Sequence, residues 1–423
     1  MTIIGNVVAH PYRWMDQKVQ LRAEAAVCRG ELLEHQIYTE LEKLLAASES
    51  QDLQIFVGRV LSESSEEVKD VRLPINAHSI ILEASTGRNV GKRVKLFVND
   101  CPDYILYPSQ IVGAIGRLTA AGTELHADRL VCGAPIPERI QENRPSPITA
   151  PVHVSIACGP YSPDNMLIFD SIAELEARIR SEHAPDALVL MGPFLDANHP
   201  LIASGIVMDS FGRPASFEDV YKEEIIPKLA RLARSCENAR TELYIVPSAN
   251  EVRIGLPIPQ PPIDSLKSEI WKFLVKELPP SVKYLSNPSW VRFGDVDMYF
   301  TSADVLSTLN ANVLFKQGEQ PLNRVDTCLD QFLRSRSVFP VNPSGLRIEP
   351  SERYRLNFEE ARGVPDIIVS PSLAGKRFIK KVSGRVFVNP GFMSDATGTC
   401  SSLAELVIGP PSEDRVSGDV VKL

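Results

Sequence analysis

The sequence predicts an α/β domain preceded by a small β-barrel, with a helix at the front. Three observations predict this. Leu33, Ile37, Leu41, Leu44 and Leu45 repeat at the spacing of one buried helical stripe. Residues 53–132 break into short β-type runs separated by turns, among them LQIFVGRV, HSIILEA, KRVKLFV and QIVGAIGRL. From residue 152 onward, strand and helix patterns alternate.

Each element can be justified in order. Residues 17–46 read as the helix, weakened or broken early at Gly30. Short strands with turns such as TGRNVG and TAAGTE suit a small closed barrel of the OB type. Gly133 to Pro151 holds five prolines, which deny backbone donors, so it reads as a stiff linker. Beyond it come VHVSIA, a helix that Ser171 caps with Glu174 three residues on, and DALVLMG. Phe217 to Ala233 is helical in pattern, with a kink or break expected at Pro227. TELYIVP, a helix marked by Leu266, Ile270, Phe273, Leu274 and Leu278, a hairpin of WVRFG and MYFTS, and a short helix Val305 to Leu309 capped by Asp304 follow. DIIVS and GRVFVNPG are the last strands. The expected domains are a helical segment 1–50, an OB fold 51–134, a linker 135–150 and an α/β domain 151–423.

Composition narrows the function. The 423 residues are 44% hydrophobic and 23% charged, the mix of an ordinary globular protein. No apolar run approaches the ~20 residues of a membrane span. The start MTIIGNVVAHPYRWMDQK lacks the pattern of a secretory signal, which points to an intracellular protein. The formal net charge of −8 argues against a strong nucleic-acid binder. Gly91 to Lys95 and Lys376 to Lys381 are the densest basic runs and read as solvated faces. The seven cysteines form no C-x-x-C pair, so they read as reduced thiols rather than a zinc site. There is neither a P-loop nor a G-x-S-x-G elbow.

The stretch LMGPFLDANHPLI, Leu190 to Ile202, invites comparison with dinuclear metallophosphoesterases. Their sheet edges carry D-x-H, G-D-x-x-D, G-N-H-D/E, a lone His and G-H-x-H. Two divalent metals need a bridging carboxylate with His, Asn and Asp ligands to activate a water. Here the first loop, Ala157-Cys158-Gly159-Pro160, has neither Asp nor His. In the second, Gly192 and Asp196 remain, but Pro193 stands at the bridging Asp. In the third, Pro247-Ser248-Ala249-Asn250-Glu251, Ala249 replaces the Asn and Asn250 the His. Thr301-Ser302 and Ser370-Pro371-Ser372 offer no His at Ser302 or Ser372. No histidine lies beyond His199. Pro193, Asp196, Ala249, Asn250, Ser302 and Ser372 are therefore the degenerate metal-loop positions, with no catalytic residue and no metal. Asp196 is expected to pin its turn, and His199 to be structural. Gly294-Asp295-Val296-Asp297 imitates half a metal motif but reads as a hairpin turn.

These motifs in series resemble the B subunits of the replicative DNA polymerases, and within them the alpha branch that works with primase. GPFLDANHPLI, preceded by CGPYSPDNML and followed by VPSANEV and FVNPGF, carries the resemblance. LTAAGTELHADRLVCGAPIP resembles the end of that family's OB fold, and YRWMDQK the segment leading into it. The resemblance spans almost the whole chain. It implies an OB fold packed on an inactive calcineurin-like phosphoesterase sandwich, with no enzyme activity and no cofactor. It implies a nuclear scaffold that holds the C-terminal zinc-binding domain of the polymerase alpha catalytic subunit. Primase subunits and other replisome proteins would join it, DNA would be reached indirectly, and no membrane would be involved. Interface residues stay unassigned. Family members usually begin with a further helical domain and tether, for which this chain has no room, so it reads as a truncated or naturally short form. Three other readings stand beside this one: the B subunit of polymerase delta or epsilon, an active metallophosphoesterase with unusual ligands, and an OB protein that binds single strands.

Overall fold

The computed structural model describes residues 2–6, 19–47, 52–63, 75–84, 90–136, 145–181, 184–208, 212–318, 323–342, 345–349, 357–358, 363–398, 401–412 and 414–423. The chain packs as two units. One comprises Met1–Tyr12, Gln141–Asp304 and Pro365–Leu423; the other comprises Arg13–Ile140 and Val305–Val364.

The first unit is a sandwich of two six-stranded sheets with helices on one outer face. One sheet runs Lys283–Tyr284, Glu242–Val246, Ala187–Met191, Val152–Cys158, Ser402–Ile408, Val416–Lys422. Its first four strands are parallel and its last two join antiparallel. The other runs Thr2–Asn6, Ser289–Phe293, Val296–Phe300, Ile367–Val369, Arg385–Asn389, Phe378–Val382. Its three central neighbours Val296–Phe300, Ile367–Val369 and Arg385–Asn389 are parallel.

Strand periodicity explains the layering. In ALVLM, Ala187, Val189 and Met191 face the opposite sheet, while Leu188 and Leu190 face the helices. Every residue of this strand is buried, which is why it reads as a continuous apolar run rather than an alternation. Helices Asp170–Ile179, Ile226–Ala239 and Glu269–Glu277 cover the outer face with Ile172, Leu175, Leu229, Ala233, Trp271 and Leu274. This two-sheet sandwich with helices on its outer face is the α/β architecture that the alternation after residue 152 predicts.

The second unit holds the OB barrel. Gln54–Ser62, Ile80–Glu83, Arg93–Phe97, Glu124–Val131 and Ile111–Leu118 close on themselves in that order. Only the pairing of Arg93–Phe97 with Glu124–Val131 is parallel. Helix Val19–Ala46 lays Leu33, Ile37 and Leu41 on the barrel's outer wall, against Ile111 and Ile115. Gly113 makes this close approach possible: a Cβ there would lie 2.3 Å from Leu41 Cδ1.

Several expectations are corrected. The helix runs through Gly30, whose buried position against the barrel unit offsets its poor helix propensity. Leu44 is exposed, outside the stripe. Thr2–Asn6 is not helical but a strand paired with Ser289–Phe293. Residues 305–364 pack in the barrel unit, so the expected 151–423 domain is interrupted. Leu314–Lys316 pairs antiparallel with Tyr104–Leu106 there, and Gln110 Nε2 donates to Gln331 Oε1 at 3.1 Å. Ser171 does not cap its helix. It lies inside the first turn, buried, and its Oγ donates to Tyr161 O at 2.7 Å. Around Pro227 the chain does not break. A π-helical turn, Val220–Ile225, precedes Ile226–Ala239 and places Pro227 in the first helical positions, where its missing N–H costs least.

The GDVD segment is the hairpin turn expected, with Asp297 paired to Arg292 at 2.6 Å and Asp295 to Arg415 at 2.8 Å. YRWMDQK and part of the linker, 137–144, lie outside the described residues, as do His10, His183 and Cys400.

Barrel closure depends on Gly116, at the bulge opposite His126 and Ala127. A Cβ there would sit 2.0 Å from His126 O, a backbone atom that cannot step aside. Gly116→Ala is expected to destabilise the protein by about 2–3 kcal/mol, read as a lower urea midpoint.

Candidate functional site

In open α/β sheets, ligands bind beyond the carboxyl ends of parallel strands. The loops at those ends here form a ring in the sandwich unit. Gly159 N donates to Met191 O at 2.9 Å, joining the first loop to the second. Gly192 N donates to Val246 O at 2.9 Å, and Ala197 N to Asn250 O at 2.8 Å, joining the second to the third. Ser302 Oγ donates to Pro247 O at 2.9 Å. Ser370 Oγ donates to Ala303 O at 2.8 Å, and Leu373 N to Asp304 Oδ2 at 2.8 Å. Asn389 bridges within the next pair, accepting from Ser372 N at 2.9 Å and from Gly391 N at 3.1 Å. Met393 N donates to Cys158 O at 2.8 Å and closes the ring.

Glu251 is the strongest tie. It is 1% exposed, yet it accepts Phe194 N at 2.7 Å and Leu195 N at 2.8 Å, and the Tyr221 hydroxyl also donates to it. Two orphan amides of the GPFLD turn are thereby satisfied by one carboxylate. Burial pushes the Glu251 carboxyl up to about 7, against the three donors, which pull it down. Tyr221 is itself fixed edge-on to Trp271, with ring centres 5.3 Å apart.

The predicted positions fall as follows. Pro193 is buried in the turn, and its carbonyl crowds Gly159 so closely that a Cβ there would lie 1.9 Å away. Asp196 pins the turn by accepting from Asn198 N at 2.9 Å; burial raises its carboxyl above the ordinary value. Ala249 is buried and apolar, and Asn250 is half-buried. Ser302 accepts from Asn287 Nδ2 at 2.8 Å, and Asn287 Nδ2 also donates to Gln260 Oε1 at 2.9 Å. Gln260 Nε2 in turn reaches Ser248 O at 3.0 Å. Ser372 Oγ accepts from Ala374 N at 3.0 Å. Thus Pro193, Asp196, Ala249, Asn250, Ser302 and Ser372 do come together on neighbouring loops of the ring.

His199 serves structure. It is 3% exposed; Nδ1 accepts from Leu201 N at 3.2 Å and Nε2 lies 2.8 Å from Pro163 O. These partners fix the tautomer with the proton on Nε2, so neither nitrogen is left for a substrate. Burial pushes the Cys158 thiol up, so it is no poised nucleophile.

A dinuclear metal site requires a bridging carboxylate and imidazoles. Pro193 and Ala249 supply no donor atom, and Ser302 and Ser372 spend their hydroxyls within the ring. Among the described residues, no three His, Cys, Asp or Glu side chains come together as a metal cluster. The residues present do not fit a pair of divalent metals.

The residues that organise the ring and that sequence reasoning passed over are Glu251, Tyr221, Gln260, Asn287 and Asn389. Glu251 alone carried a signal, as the acidic last residue of the third loop motif.

Comparison with known proteins gives the fold its family. The family of DNA polymerase alpha/epsilon B subunits matches residues 154–380, and the OB domain of the DNA polymerase alpha B subunit matches 29–133. The chain belongs to this family of alpha/epsilon B subunits. Its curated relatives are named as B subunits of DNA polymerase alpha. The mouse protein is 27% identical over 397 residues, 92% of this chain and 60% of its own length. The Schizosaccharomyces pombe protein is 26% identical over 428 residues, 97% of this chain and 70% of its own. The chain spans about 60% of the length of the mammalian relatives it matches. Among solved structures, an archaeal phosphodiesterase matches 64% of this chain and 99% of its own at 11% identity and a TM-score of 0.29, too loose a superposition to carry functional weight.

Two outcomes test the Glu251 tie. Glu251→Ala leaves the amides of Phe194 and Leu195 buried without acceptors and is expected to cost about 2–5 kcal/mol in chemical denaturation. The second outcome concerns pH. The carboxyl is raised from 4.5 to about 7, so the folded state holds a proton that the unfolded state releases. The group's stabilising contribution is full below about 4.5 and is lost as pH rises through about 7, on the order of 3 kcal/mol. Wild type should lose urea resistance between pH 5 and pH 8 relative to Glu251→Gln; parallel profiles would contradict this.

Proposed function

We propose that the chain is a non-catalytic B subunit of DNA polymerase alpha–primase. Its role is to hold the C-terminal zinc-binding domain of the catalytic subunit. Primase subunits and other replisome proteins assemble around that pair in the nucleus, and DNA is engaged through the complex. The observation that carries this reading is the loop ring. At the place where a phosphoesterase keeps its metals, hydroxyls, amides and one buried carboxylate are spent on tying neighbouring loops together. A rim fixed in this way suits an assembly surface, because little ordering remains to be done on binding.

The OB barrel is read as a protein-contact module. The net charge of −8 gives no broad basic surface for a single strand. Among the described residues, no helix is long and apolar enough to cross a membrane.

The matching family covers both alpha and epsilon subunits, so the partner test has two arms. The full chain is co-expressed with the C-terminal domain of the polymerase alpha catalytic subunit or with that of its epsilon counterpart. Stoichiometric co-purification with the alpha domain is expected. Capture by the epsilon domain alone would move the chain to the sister branch, and capture by neither would end the scaffold reading.

A further inference from the structure

Strand Gln54–Ser62 turns Ile55, Val57 and Arg59 to the outside of the barrel. Ile55 and Val57 pack under helix Val19–Ala46 with Leu33, Ile37 and Leu41. Arg59 continues this apolar row, half-buried, and its guanidinium makes no hydrogen bond or ion pair among the described residues. A half-buried charge without a partner is costly unless a counter-charge arrives.

Arg59 lines a cavity of about 30 Å³ together with Arg29 and Arg334, and no Asp or Glu is among the lining residues. The other two arginines are braced. Arg29 Nη2 donates to Ser335 O at 2.8 Å. Arg334 Nε donates to Asp330 Oδ2 at 2.5 Å, which leaves its Nη groups unbonded among the described residues. In a chain of net charge −8, a cavity walled by arginine alone among charged residues stands out.

We propose that this cavity is a binding site for a terminal phosphate group. Guanidinium forks from different elements match a dianion with three terminal oxygens better than they match a single carboxylate. About 30 Å³ has room for the terminal oxygens of such a group and none for a sugar or base. The phosphate therefore enters end-on, either free or on the side chain of a phosphorylated peptide. This site stands independently of the scaffold role.

The test uses the full chain, with inorganic phosphate, a phosphoserine peptide and the same peptide unphosphorylated, at matched ionic strength. Phosphate is expected to raise the melting temperature where chloride does not. Arg59→Gln should melt no lower than wild type without phosphate, since it removes a costly unpaired charge and no partner is lost, and should bind about tenfold more weakly. Arg93→Gln, on a pair with Glu83 outside the cavity, should bind as wild type does. Tighter binding of the phosphopeptide than of inorganic phosphate assigns the group to a protein partner, and equal binding assigns it to free phosphate. The proposal is overturned by a wild type indifferent to phosphate, by unchanged affinity in Arg59→Gln, or by an oligonucleotide without terminal phosphate competing as well as the phosphopeptide.

Discussion

The sandwich unit depends on one buried carboxylate. Glu251 accepts the amides of Phe194 and Leu195, and with them it holds the turn that follows strand Ala187–Met191. Without an acceptor, those amides would be desolvated and unpaired. The turn fixes Pro193 against Gly159, and Asp196 and His199 then set the path of the chain into the next short helix. The other ties of the ring are weaker neutral bonds, several of them from serine hydroxyls. They assume that this loop is already in place.

A pair of metals cross-links loops by coordination. Here hydrogen bonds among Glu251, Tyr221, Gln260, Asn287, Ser302, Ser372 and Asn389 cross-link them instead. Pro193 offers no ligand atom, and His199 has both nitrogens committed within the protein.

Much of this was legible in the sequence because it is local. The apolar run ALVLM, the turn-rich segments of the barrel and the alternation after residue 152 each state their own structure. Pro193 and Asp196 sit in one short motif and could be read together. What escaped was non-local. Nothing in TIIGN says that it will pair with Ser289–Phe293, and nothing in residues 305–364 says that they fold with the barrel. Ser171 looked like a cap because capping is a sequence pattern, whereas its bond to Tyr161 O depends on tertiary packing. Gly30 looked like a breaker because propensity ignores the barrel beside it. Glu251 was visible only as the acidic end of the segment Pro247–Glu251, and its amide partners lie more than fifty positions away.

The central claim is that hydrogen bonds, and not metal, hold the loop ring. The most direct measurement is the melting temperature of the full chain with excess Mn²⁺ and with EDTA, alongside elemental analysis of the protein after Mn²⁺ loading. A ligand that binds only the folded state must raise its stability. The account predicts equal melting temperatures and no stoichiometric metal. A clear rise with Mn²⁺, together with a stoichiometric pair of bound ions, would contradict it.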